Sequence, residues 1–574
     1  MLLLENGSRI AVVGGGPAGS FFCYFLVDFA SRMELEIQID VYEKKDFSKC
    51  GPKGCNHCGG IVSESLVQLL ATEGINLPET VVQKGIDSYV MHTDIGAVKI
   101  ETPLQDKRIA ALHRGGGPIG NSNSAYEGFD YFLQKMIKSD GINVIDEMVT
   151  AIEYDENSKI KIKCDDKSST YDLLVGATGV NCKTLALFEQ LGIGFNKPKT
   201  AKTFIAEFHL DAETVKKQLG NSMHVFLLDI PKLKFAALIP KGIYATLCLL
   251  GNDIDRTLVN SFLDSPAVRE CFPEGQNLLK GYSCQCFPKI NVGSAKQPFG
   301  NRLVLIGDCA TSKLYKNGIG AAFMTAKAAA NTCIFNGISE LDFQRHYWPM
   351  CQSIEKDNRI GKIIFLITNV FKKLNITKKG LLLMVQSENN KQGDKRRLST
   401  ILWDTFTGSS TYKSIFAKTL NPKFILCLLW RIISAPFVET VSRSGDFSNI
   451  DSNLLGKIYN EGDIIIKQGD QGECMYVIQS GQVEILLESD GDETVIGQLG
   501  ENSFFGEMAL FEKEVRSATV RAKTDVRIIT VDKRTLLYRI QEDPSLAFKM
   551  LQKLSERIRE MDTIIHNFHR GNSV

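Results

Sequence analysis

The chain has 574 residues, which is too long for one hydrophobic core and predicts two or three domains. Its formal net charge is +1, so composition gives no reason to expect a nucleic acid as a partner. Fifteen cysteines in a chain of this length do not indicate a disulfide scaffold, and the short apolar N-terminus does not resemble a signal peptide. No apolar run reaches the ~18 residues of a membrane-spanning helix. We therefore expect a cytoplasmic protein.

Residues 1–336 alternate strand-like runs with helical patterns. This alternation predicts an α/β domain of Rossmann type with an inserted mixed β-sheet for substrate. Four β-branched runs have the character of buried parallel strands: 9–14, 37–43, 172–179 and 302–308.

The remaining chain predicts two further regions. Residues 337–441 have apolar positions at helical spacing and form a helical segment with a linker. Residues 442–574 contain short alternating strands separated by glycine turns, which predict a small jelly-roll-like β-barrel followed by a final helix.

The first strand runs directly into Gly14-Gly15-Gly16-Pro17-Ala18-Gly19, which has the form GxGxxG. Gly14 permits a tight turn, Gly16 lets the backbone approach a pyrophosphate, and Gly19 lets helix and strand pack closely. The second strand ends at Glu43, whose carboxylate can accept hydrogen bonds from ribose hydroxyls. The sequence therefore predicts dinucleotide binding by Gly14, Gly16, Pro17, Ala18, Gly19 and Glu43.

A second element near residue 307 favours FAD over NAD. A buried strand ends at Gly307-Asp308, and a short loop then leads to Gly318, Gly320 and a helix. The Asp308 carboxylate can accept hydrogen bonds from a polyol, and the start of the helix can face an electron-rich ring. An NAD domain has no need of such an element so far along the chain.

These motifs resemble those of the FAD oxidoreductases that include p-hydroxybenzoate hydroxylase and the geranylgeranyl reductases, over roughly the first 340 residues. The resemblance implies that Gly307-Asp308 contacts the flavin ribityl chain and that Arg114, which precedes Phe129-Asp130, belongs to the cofactor site. Cys58-Gly59-Gly60 is similar to the CGG motif of the reductases, in which the cysteine lies near the isoalloxazine. Cys58 is therefore the candidate catalytic residue.

Two departures from the reductases leave the substrate open. The stretch Phe235–Pro240 lacks the family's tryptophan, and Lys313–Asn317 replaces the proline loop after Gly307-Asp308. We expect a flavin redox step on a small or apolar substrate, either reduction of a C=C bond or monooxygenation. NAD(P)H and ferredoxin are the candidate electron donors.

Cysteines at 50, 55 and 58 permit three interpretations. In the first, the three cysteines and a fourth ligand elsewhere bind an iron–sulfur cluster or a zinc ion. In the second, Cys50 and Cys55 form a redox disulfide. In the third, only Cys58 has a functional role. We assign no metal ion to the protein. His57, His92 and His113 are acid–base candidates by position alone.

A second GxGxxG string lies at 115–120, but Asn-Ser-Asn-Ser follows it instead of an apolar helix. We interpret it as a mobile glycine loop, with an NADPH site as the alternative.

The segments 505–510 and 516–520 resemble the phosphate-binding cassette of cyclic-nucleotide-binding domains, and the resemblance covers about 447–568. Arg516 would pair with the cyclic phosphate, and the Glu507 carboxylate would accept a hydrogen bond from the ribose 2′-hydroxyl. The predicted contacts are Gly506, Glu507, Met508, Ala509, Arg516, Ser517 and Ala518. Ser517 is compatible with both cAMP and cGMP. Bacterial cAMP receptors resemble this sequence in having a serine there, so we favour cAMP. We expect no helix-turn-helix, and hence no transcription factor.

The sequence as a whole supports two hypotheses. The first is an FAD-dependent oxidoreductase regulated by a cyclic nucleotide, which we take to be cAMP. The second is a cyclic-nucleotide and redox sensor whose flavin domain is a scaffold without turnover. The amphipathic stretch 360–380, with Lys372, Lys373, Lys378 and Lys379, is either a contact with the inner face of a membrane or a helix packed on the flavin domain.

Overall fold

A computed structural model describes residues 2–101, 108–119, 126–165, 167–389, 396–435, 454–489, 492–508, 515–533, 536–537, 540 and 544–571. The chain divides into two compact units. The first comprises Met1–Leu66 and Glu79–Leu454, and the second comprises Val67–Pro78 and Leu455–Val574.

The first unit combines several sheets with helices. Its described strands are β1 (Ser8–Val13), β2 (Ile37–Tyr42), β3 (Ile61–Val62), β4 (Val82–Ile86), β5 (Ser88–Thr93), β6 (Gly96–Glu101), β7 (Ile109–Leu112), β8 (Asn143–Ile145), β9 (Ala151–Tyr154), β10 (Ile160–Cys164), β11 (Lys167–Tyr171), β12 (Leu173–Gly176), β13 (Lys199–Lys202), β14 (Phe204–His209), β15 (Ser222–Phe226), β16 (Leu233–Lys241), β17 (Tyr244–Gly251), β18 (Tyr282–Cys286), β19 (Lys289–Gly293), β20 (Phe299–Gly300) and β21 (Leu303–Leu305). Its described helices are α1 (Pro17–Arg32), α2 (Glu64–Thr72, which ends in the second unit), α3 (Phe129–Ser139), α4 (Leu185–Gln190), α5 (Ala212–Gln218), α6 (Arg256–Leu263), α7 (Pro266–Arg269), α8 (Gly318–Phe335), α9 (Glu340–Asp342), α10 (Trp348–Lys373), α11 (Asn375–Asn389), α12 (Arg397–Thr407), α13 (Tyr412–Thr419) and α14 (Pro422–Ser434).

A six-stranded sheet with the order β20-β21-β12-β1-β2-β8 holds the dinucleotide motif. The four segments predicted as buried parallel strands supply β1, β2, β12 and β21, and these strands pair in parallel. Residues Ile10–Val13 of β1 are buried, and Ala11 and Val13 belong to an apolar core with Ile152 of β9 and Ile160 of β10. Helices α1 and α8 pack on each other. This arrangement places the carboxyl ends of β1, β2 and β21 at one edge, where a ligand binds in a doubly wound sheet.

A seven-stranded sheet with the order β18-β14-β17-β16-β15-β5-β6 forms the second layer. It is mixed, because β5 and β15 pair in parallel while the other neighbours are antiparallel. Alternate residues of β14 and β17 enter an apolar core with α5 and α6. The predicted inserted mixed sheet corresponds to this layer.

Helices α9 to α14 form the helical segment that the sequence predicts after residue 336. The Trp403 indole in α12 donates to the Glu64 carboxylate at the start of α2 (2.9 Å), and Arg108 donates to the other oxygen (2.8 Å). Tyr412 in α13 donates to the Leu314 carbonyl at 2.5 Å. These buried contacts pack the helical segment on the α/β part of the first unit. Among the described residues, no helix is long and apolar enough to span a bilayer.

The second unit contains two four-stranded antiparallel sheets, β22-β29-β24-β27 and β23-β28-β25-β26. Its strands and helix are β22 (Lys457–Tyr459), β23 (Ile464–Ile466), β24 (Cys474–Ser480), β25 (Val483–Ser489), β26 (Asp492–Leu499), β27 (Phe504–Phe505), β28 (Thr519–Ala522), β29 (Val526–Asp532) and α15 (Pro544–Gly571). The segment Val67–Pro78 belongs to this unit, since Glu73 pairs with Lys549 at 2.8 Å and Gln68 donates to the Thr530 carbonyl.

We expect Glu64→Gln to lower the free energy of unfolding of the first unit by about 2–4 kcal/mol, because the change removes the charge of the carboxylate that pairs with the buried Arg108 guanidinium. The measurement is urea denaturation followed by tryptophan fluorescence. Glu355→Gln is the matched control, since Glu355 pairs with Arg359 in the exposed part of α10 and is expected to contribute less than about 0.5 kcal/mol. Equal effects of the two substitutions would contradict the prediction.

Candidate functional sites

The N-terminus of α1 faces the carboxyl edge of the six-stranded sheet. The Gly16 N-cap carries no capping side chain, so the first backbone N–H groups of the helix lack a side-chain acceptor there. A Cβ on Gly19 would lie 2.0 Å from the Gly14 carbonyl oxygen, whereas a Cβ on Gly16 would meet only the Asn56 amide at 3.3 Å. Gly19 is therefore required by packing, whereas a Cβ on Gly16 would press only on the end of the Asn56 side chain, so the backbone at Gly16 can approach an anion.

Glu43 lies directly after β2 and beside this helix. Its carboxylate accepts hydrogen bonds from the Gly15 and Lys45 backbone N–H groups, both at 2.9 Å. Burial raises the pKa of Glu43, and the two backbone donors oppose that shift. The carboxylate is thus fixed in position, and a carboxylate has further lone pairs for ribose hydroxyls.

Gly307 and Asp308 lie close to the same helix. A Cβ on Gly307 would approach the Ala18 Cβ to 2.7 Å, so this turn packs on the start of α1. Burial raises the pKa of Asp308, while a hydrogen bond with Ser312 and the charge of Arg114 lower it. A Cβ on Gly318 would lie 3.8 Å from the Asp308 carboxylate, which places Asp308 beside the start of α8.

The start of α8 differs from the sequence expectation in one respect. Asn317 adopts a left-handed conformation (φ 51°), and its side-chain oxygen accepts the Gly320 N–H at 3.1 Å. One of the N–H groups expected to face a ligand is therefore capped by the protein itself.

Arg114 forms a bidentate ion pair with Asp130, with distances of 2.5 and 2.9 Å. Burial would lower the pKa of Arg114, but Asp130 and a hydrogen bond with Cys58 outweigh burial and raise it. Asn56 also donates to Asp130 and accepts from Lys45. Arg114 thus links the predicted cofactor site to the cysteine loop.

The three loop cysteines have different surroundings. Cys50 donates to the Gly116 carbonyl at 3.0 Å, Cys55 accepts from the His57 backbone, and burial raises the pKa of Cys55. None of the fifteen cysteines forms a disulfide. Among the described residues, one cluster of three His, Cys or carboxylate side chains is compact enough for a metal ion, and it contains none of these three cysteines.

The glycine string at 115–120 packs against the same loop. A Cβ on Gly115 would lie 2.3 Å from the Gly54 carbonyl oxygen, and Gly116 donates to the Lys49 carbonyl at 3.1 Å. Close backbone packing therefore explains Gly115 and Gly116. Gly120 and the residues to 125 lie outside the described part of the chain.

A buried polar group that sequence reasoning missed lies beside Cys58-Gly59-Gly60. Lys241 in β16 is 3.7 Å from the Glu207 carboxylate in β14, and Thr246 in β17 donates to the same carboxylate at 2.7 Å. A Cβ on Gly60 would lie 2.8 Å from the Lys241 ammonium nitrogen. The available signal was a charged residue within each of two apolar strands.

Thiols and a histidine surround this polar group. A Cβ on Gly59 would lie 2.7 Å from the Cys248 sulfur, and Cys284 and Cys286 follow on β18. His113 Nε2 is buried with no hydrogen-bond partner among the described residues. Burial and the charge of Lys241 hold the pKa of His113 well below its usual value, so the ring is neutral. The Nε2 atom of His113 is therefore suited to a hydrogen bond with a ligand.

The second unit fixes Arg516 beneath its cassette. The guanidinium donates to the Gly506 and Cys474 carbonyls at 2.7 and 2.8 Å. A Cβ on Gly472 would lie 2.4 Å from the Arg516 Cζ, so only glycine leaves room for this side chain. The turn glycine at 472 therefore serves the predicted phosphate contact.

Glu507 is buried and bonded within the unit. Arg557 of α15 donates to its carboxylate at 3.2 Å and also to the Phe504 carbonyl. Met508 is exposed, and Ser517 lies within 3.9 Å of its sulfur. Ala518 immediately precedes β28, and Ala509 lies outside the described residues.

Residues 457–543 match the family model of the cyclic nucleotide-binding domain. The predicted resemblance of this region is confirmed. A cAMP-dependent protein kinase regulatory subunit of Dictyostelium discoideum is 36% identical over 106 residues, which are 18% of this chain and 32% of that protein. A cAMP-activated global transcriptional regulator of Pseudomonas aeruginosa is 36% identical over 107 residues, which are 18% of this chain and 50% of that protein. The chain thus spans half or less of the length of these two relatives.

A larger part of the chain has a structural relative. A geranylgeranyl bacteriochlorophyll reductase-like protein of Thermoplasma acidophilum superposes with a TM-score of 0.51, at 14% identity, over 74% of this chain and 100% of that chain. At this identity the likeness shows the fold. It confirms the predicted resemblance to the geranylgeranyl reductase group at the level of fold.

Proposed function

We propose that the protein is an FAD-dependent oxidoreductase regulated by a cyclic nucleotide, with the flavin in residues 1–336 and the sensor in 442–574. The observation that carries the proposal is the uncapped start of α1 beside the fixed Glu43 carboxylate. The backbone N–H groups suit a pyrophosphate, and the carboxylate suits a ribose. A pyrophosphate joined to a ribose is the part of a dinucleotide that a motif of this kind binds.

The structure fits FAD at both ends of this site. Gly14, Gly16, Pro17, Ala18 and Gly19 would hold the pyrophosphate, and Glu43 the ribose. Gly307, Asp308, Gly318 and Gly320 lie at the same sheet edge and would hold the polyol chain and ring edge. When bound, FAD supplies hydride or electron transfer.

The neighbouring residues support chemistry on a small or apolar substrate. Arg114 would fix the cysteine loop against the cofactor and keep a donor beside Cys58. Lys241 can donate a proton or hydrogen bond to a polar substrate group, and Glu207 can hold the ammonium in place. Reduction of a C=C bond and monooxygenation both agree with these groups, with NAD(P)H or ferredoxin as the donor.

A sensor without turnover is the alternative. One experiment distinguishes an enzyme from a sensor. Purified, flavin-loaded protein is mixed with NAD(P)H or reduced ferredoxin, with and without a trial enone substrate, and consumption of the electron donor is measured. Donor consumption above that of free flavin supports an enzyme. A flavin that is never reduced by either donor supports the sensor.

The cyclic nucleotide would bind through Arg516 and Glu507, with Gly506, Met508, Ala509, Ser517 and Ala518 around the phosphate. Relatives described as cAMP-dependent or cAMP-activated favour cAMP. Arg557 donates a hydrogen bond to the Glu507 carboxylate, so a ribose hydroxyl would compete with the arginine for this acceptor. Exchange of this contact would remove one attachment of α15 to the nucleotide site, which would couple the ligand to a conformational change.

Two helices favour peripheral contact with the inner face of a membrane. Helix α10 exposes Ile363, Leu366, Ile367 and Val370 at helical spacing, and α14 likewise exposes Leu426, Leu429, Trp430 and Ile433. The basic flank is weaker than the sequence suggested, because Lys372 donates to the Leu233 carbonyl and Lys378 pairs with Asp94. Apolar insertion would therefore supply most of the binding energy.

The flavin proposal predicts that Gly16→Val lowers FAD content by about tenfold or more, because a side chain there enters the pyrophosphate space. Folding is expected to persist, since a Cβ meets only Asn56. FAD is quantified by absorbance after purification and reconstitution, and folding by circular dichroism. The control is Gly497→Val in β26, where a Cβ finds room. A wild-type protein that takes up no flavin overturns the proposal.

The regulatory proposal predicts that Arg516→Ala weakens cAMP binding by about 2–4 kcal/mol, or roughly thirty- to several-hundred-fold, measured by calorimetry. Arg521→Ala is the control, because Arg521 on β28 pairs with Glu484 instead. Arg557→Ala is expected to tighten binding by about two- to tenfold, since it removes a competitor for Glu507. Lys553→Ala on the same helix is expected to have no effect. Failure of both cAMP and cGMP to bind at millimolar concentration refutes regulation.

The membrane proposal predicts that the double substitution Leu366→Glu with Trp430→Glu reduces co-sedimentation with phosphatidylglycerol vesicles by about tenfold or more. These side chains are 65% and 69% exposed, so their replacement leaves the core intact. Leu341→Glu on α9, at 58% exposure, is the control and is expected to bind as wild type. Absence of wild-type co-sedimentation at low salt contradicts membrane contact.

A further inference from the structure

The seven-stranded sheet contains a compact group of two histidines and one cysteine. His92 lies on β5 and His224 on the parallel neighbour β15, and Cys271 follows α7. In this register His92 pairs with Phe226 and Val90 pairs with His224, so both imidazoles project from the same face. All three side chains are buried, with exposures of 7%, 1% and 3%.

The distances between the three polar atoms match those of a shared metal ion. The His92 Nε2 is 2.9 Å from the His224 Nδ1, and the Cys271 sulfur is 3.6 Å from His224 Nδ1 and 3.9 Å from His92 Nε2. Metal–nitrogen bonds of about 2.0–2.1 Å and a metal–sulfur bond of about 2.3 Å place nitrogen and sulfur about 3.6 Å apart in a tetrahedral site. The nitrogen pair would separate by about 0.4 Å on binding.

The hydrogen bonding of His224 directs a lone pair into this group. Its Nε2 lies 3.3 Å from the Leu219 carbonyl oxygen, which can only accept, so Nε2 carries the proton. Burial lowers the pKa of His224 to about 4, so the ring is neutral and Nδ1 is an unprotonated acceptor. A ligand histidine whose other nitrogen donates to a backbone carbonyl is the usual arrangement around a protein-bound metal.

We propose that His92, His224 and Cys271 form a binding site for one soft or borderline transition-metal ion, Zn²⁺ or Cu⁺. Two imidazoles and a thiolate are the donor set that such ions prefer. The site is independent of the proposed flavin and nucleotide functions. It would fasten the loop after α7 to the sheet.

Charge balance distinguishes the two ions. Coordination requires the buried Cys271 thiol to lose its proton, and the bound cation replaces that proton. With Cu⁺ the three-ligand site is neutral. With Zn²⁺ a net positive charge remains, and a water molecule would have to complete the coordination.

The test uses the full chain, expressed in medium with added zinc or added copper and dialysed against a weak chelator. Metal per protein is measured by mass spectrometry. We expect about one equivalent of one of the two ions in the wild type, and less than about a tenth of that in Cys271→Ser and His224→Gln. Cys333→Ser, which changes a buried cysteine in α8, is the control and is expected to keep the metal.

X-ray absorption of the wild type gives a second measurement that does not depend on how the variants fold. One sulfur at about 2.3 Å with two nitrogens at about 2.0–2.1 Å supports the site, and the absorption edge identifies the ion. Absence of both ions after both loadings overturns the proposal and leaves a hydrogen-bonded core cluster. Retention of metal in Cys271→Ser at the wild-type level, or a scattering shell without sulfur, also overturns it.

Discussion

The geometry around the glycine loop of the first unit depends on one buried ion pair, between Arg114 and Asp130. Asp130 is fully buried and Arg114 nearly so, and leaving either charge without the other would cost several kcal/mol. The pair therefore forces the end of β7 and the start of α3 together. Asn56 and Cys58 attach to the same pair, which brings the cysteine loop over the edge of the six-stranded sheet. Hydrogen bonds with Gly116 and Gly117 hold the other end of the same loop.

The second unit also contains a buried arginine, Arg516, but the nearby carboxylate of Glu507 is bonded to a different arginine, Arg557. Arg516 is held by two backbone carbonyls, those of Gly506 and Cys474. Glu507, by contrast, accepts a hydrogen bond from Arg557 of α15. In the proposed function a phosphate contact fixed in advance would give affinity, whereas a contact that must be exchanged would shift a conformational equilibrium.

The polar group beside Cys58-Gly59-Gly60 shows why half of a site can escape sequence reasoning. The dinucleotide motif is contiguous, and each of its glycines has a local function that can be read from neighbouring residues. Glu207, Lys241 and Thr246 come from three strands and meet only because β14, β17 and β16 are adjacent in the sheet. A charged residue in an apolar strand such as β16 indicates that Lys241 is unusual, but it does not indicate which residue it meets.

The sequence by itself determined the elements whose signal is short-range. The parallel strands, the glycine turn before α1, the helical segment and the cyclic-nucleotide cassette depend on periodicity, turn chemistry and contiguous motifs. Tertiary structure alone decided which distant residues share an environment: the Arg114–Asp130 pair, the link between Arg557 and Glu507, and the cluster of His92, His224 and Cys271. It also assigned Val67–Pro78 to the second unit, far from the rest of that unit in the chain. The reason is that burial and pairing of polar groups depend on strand order and helix packing, which the whole chain determines together.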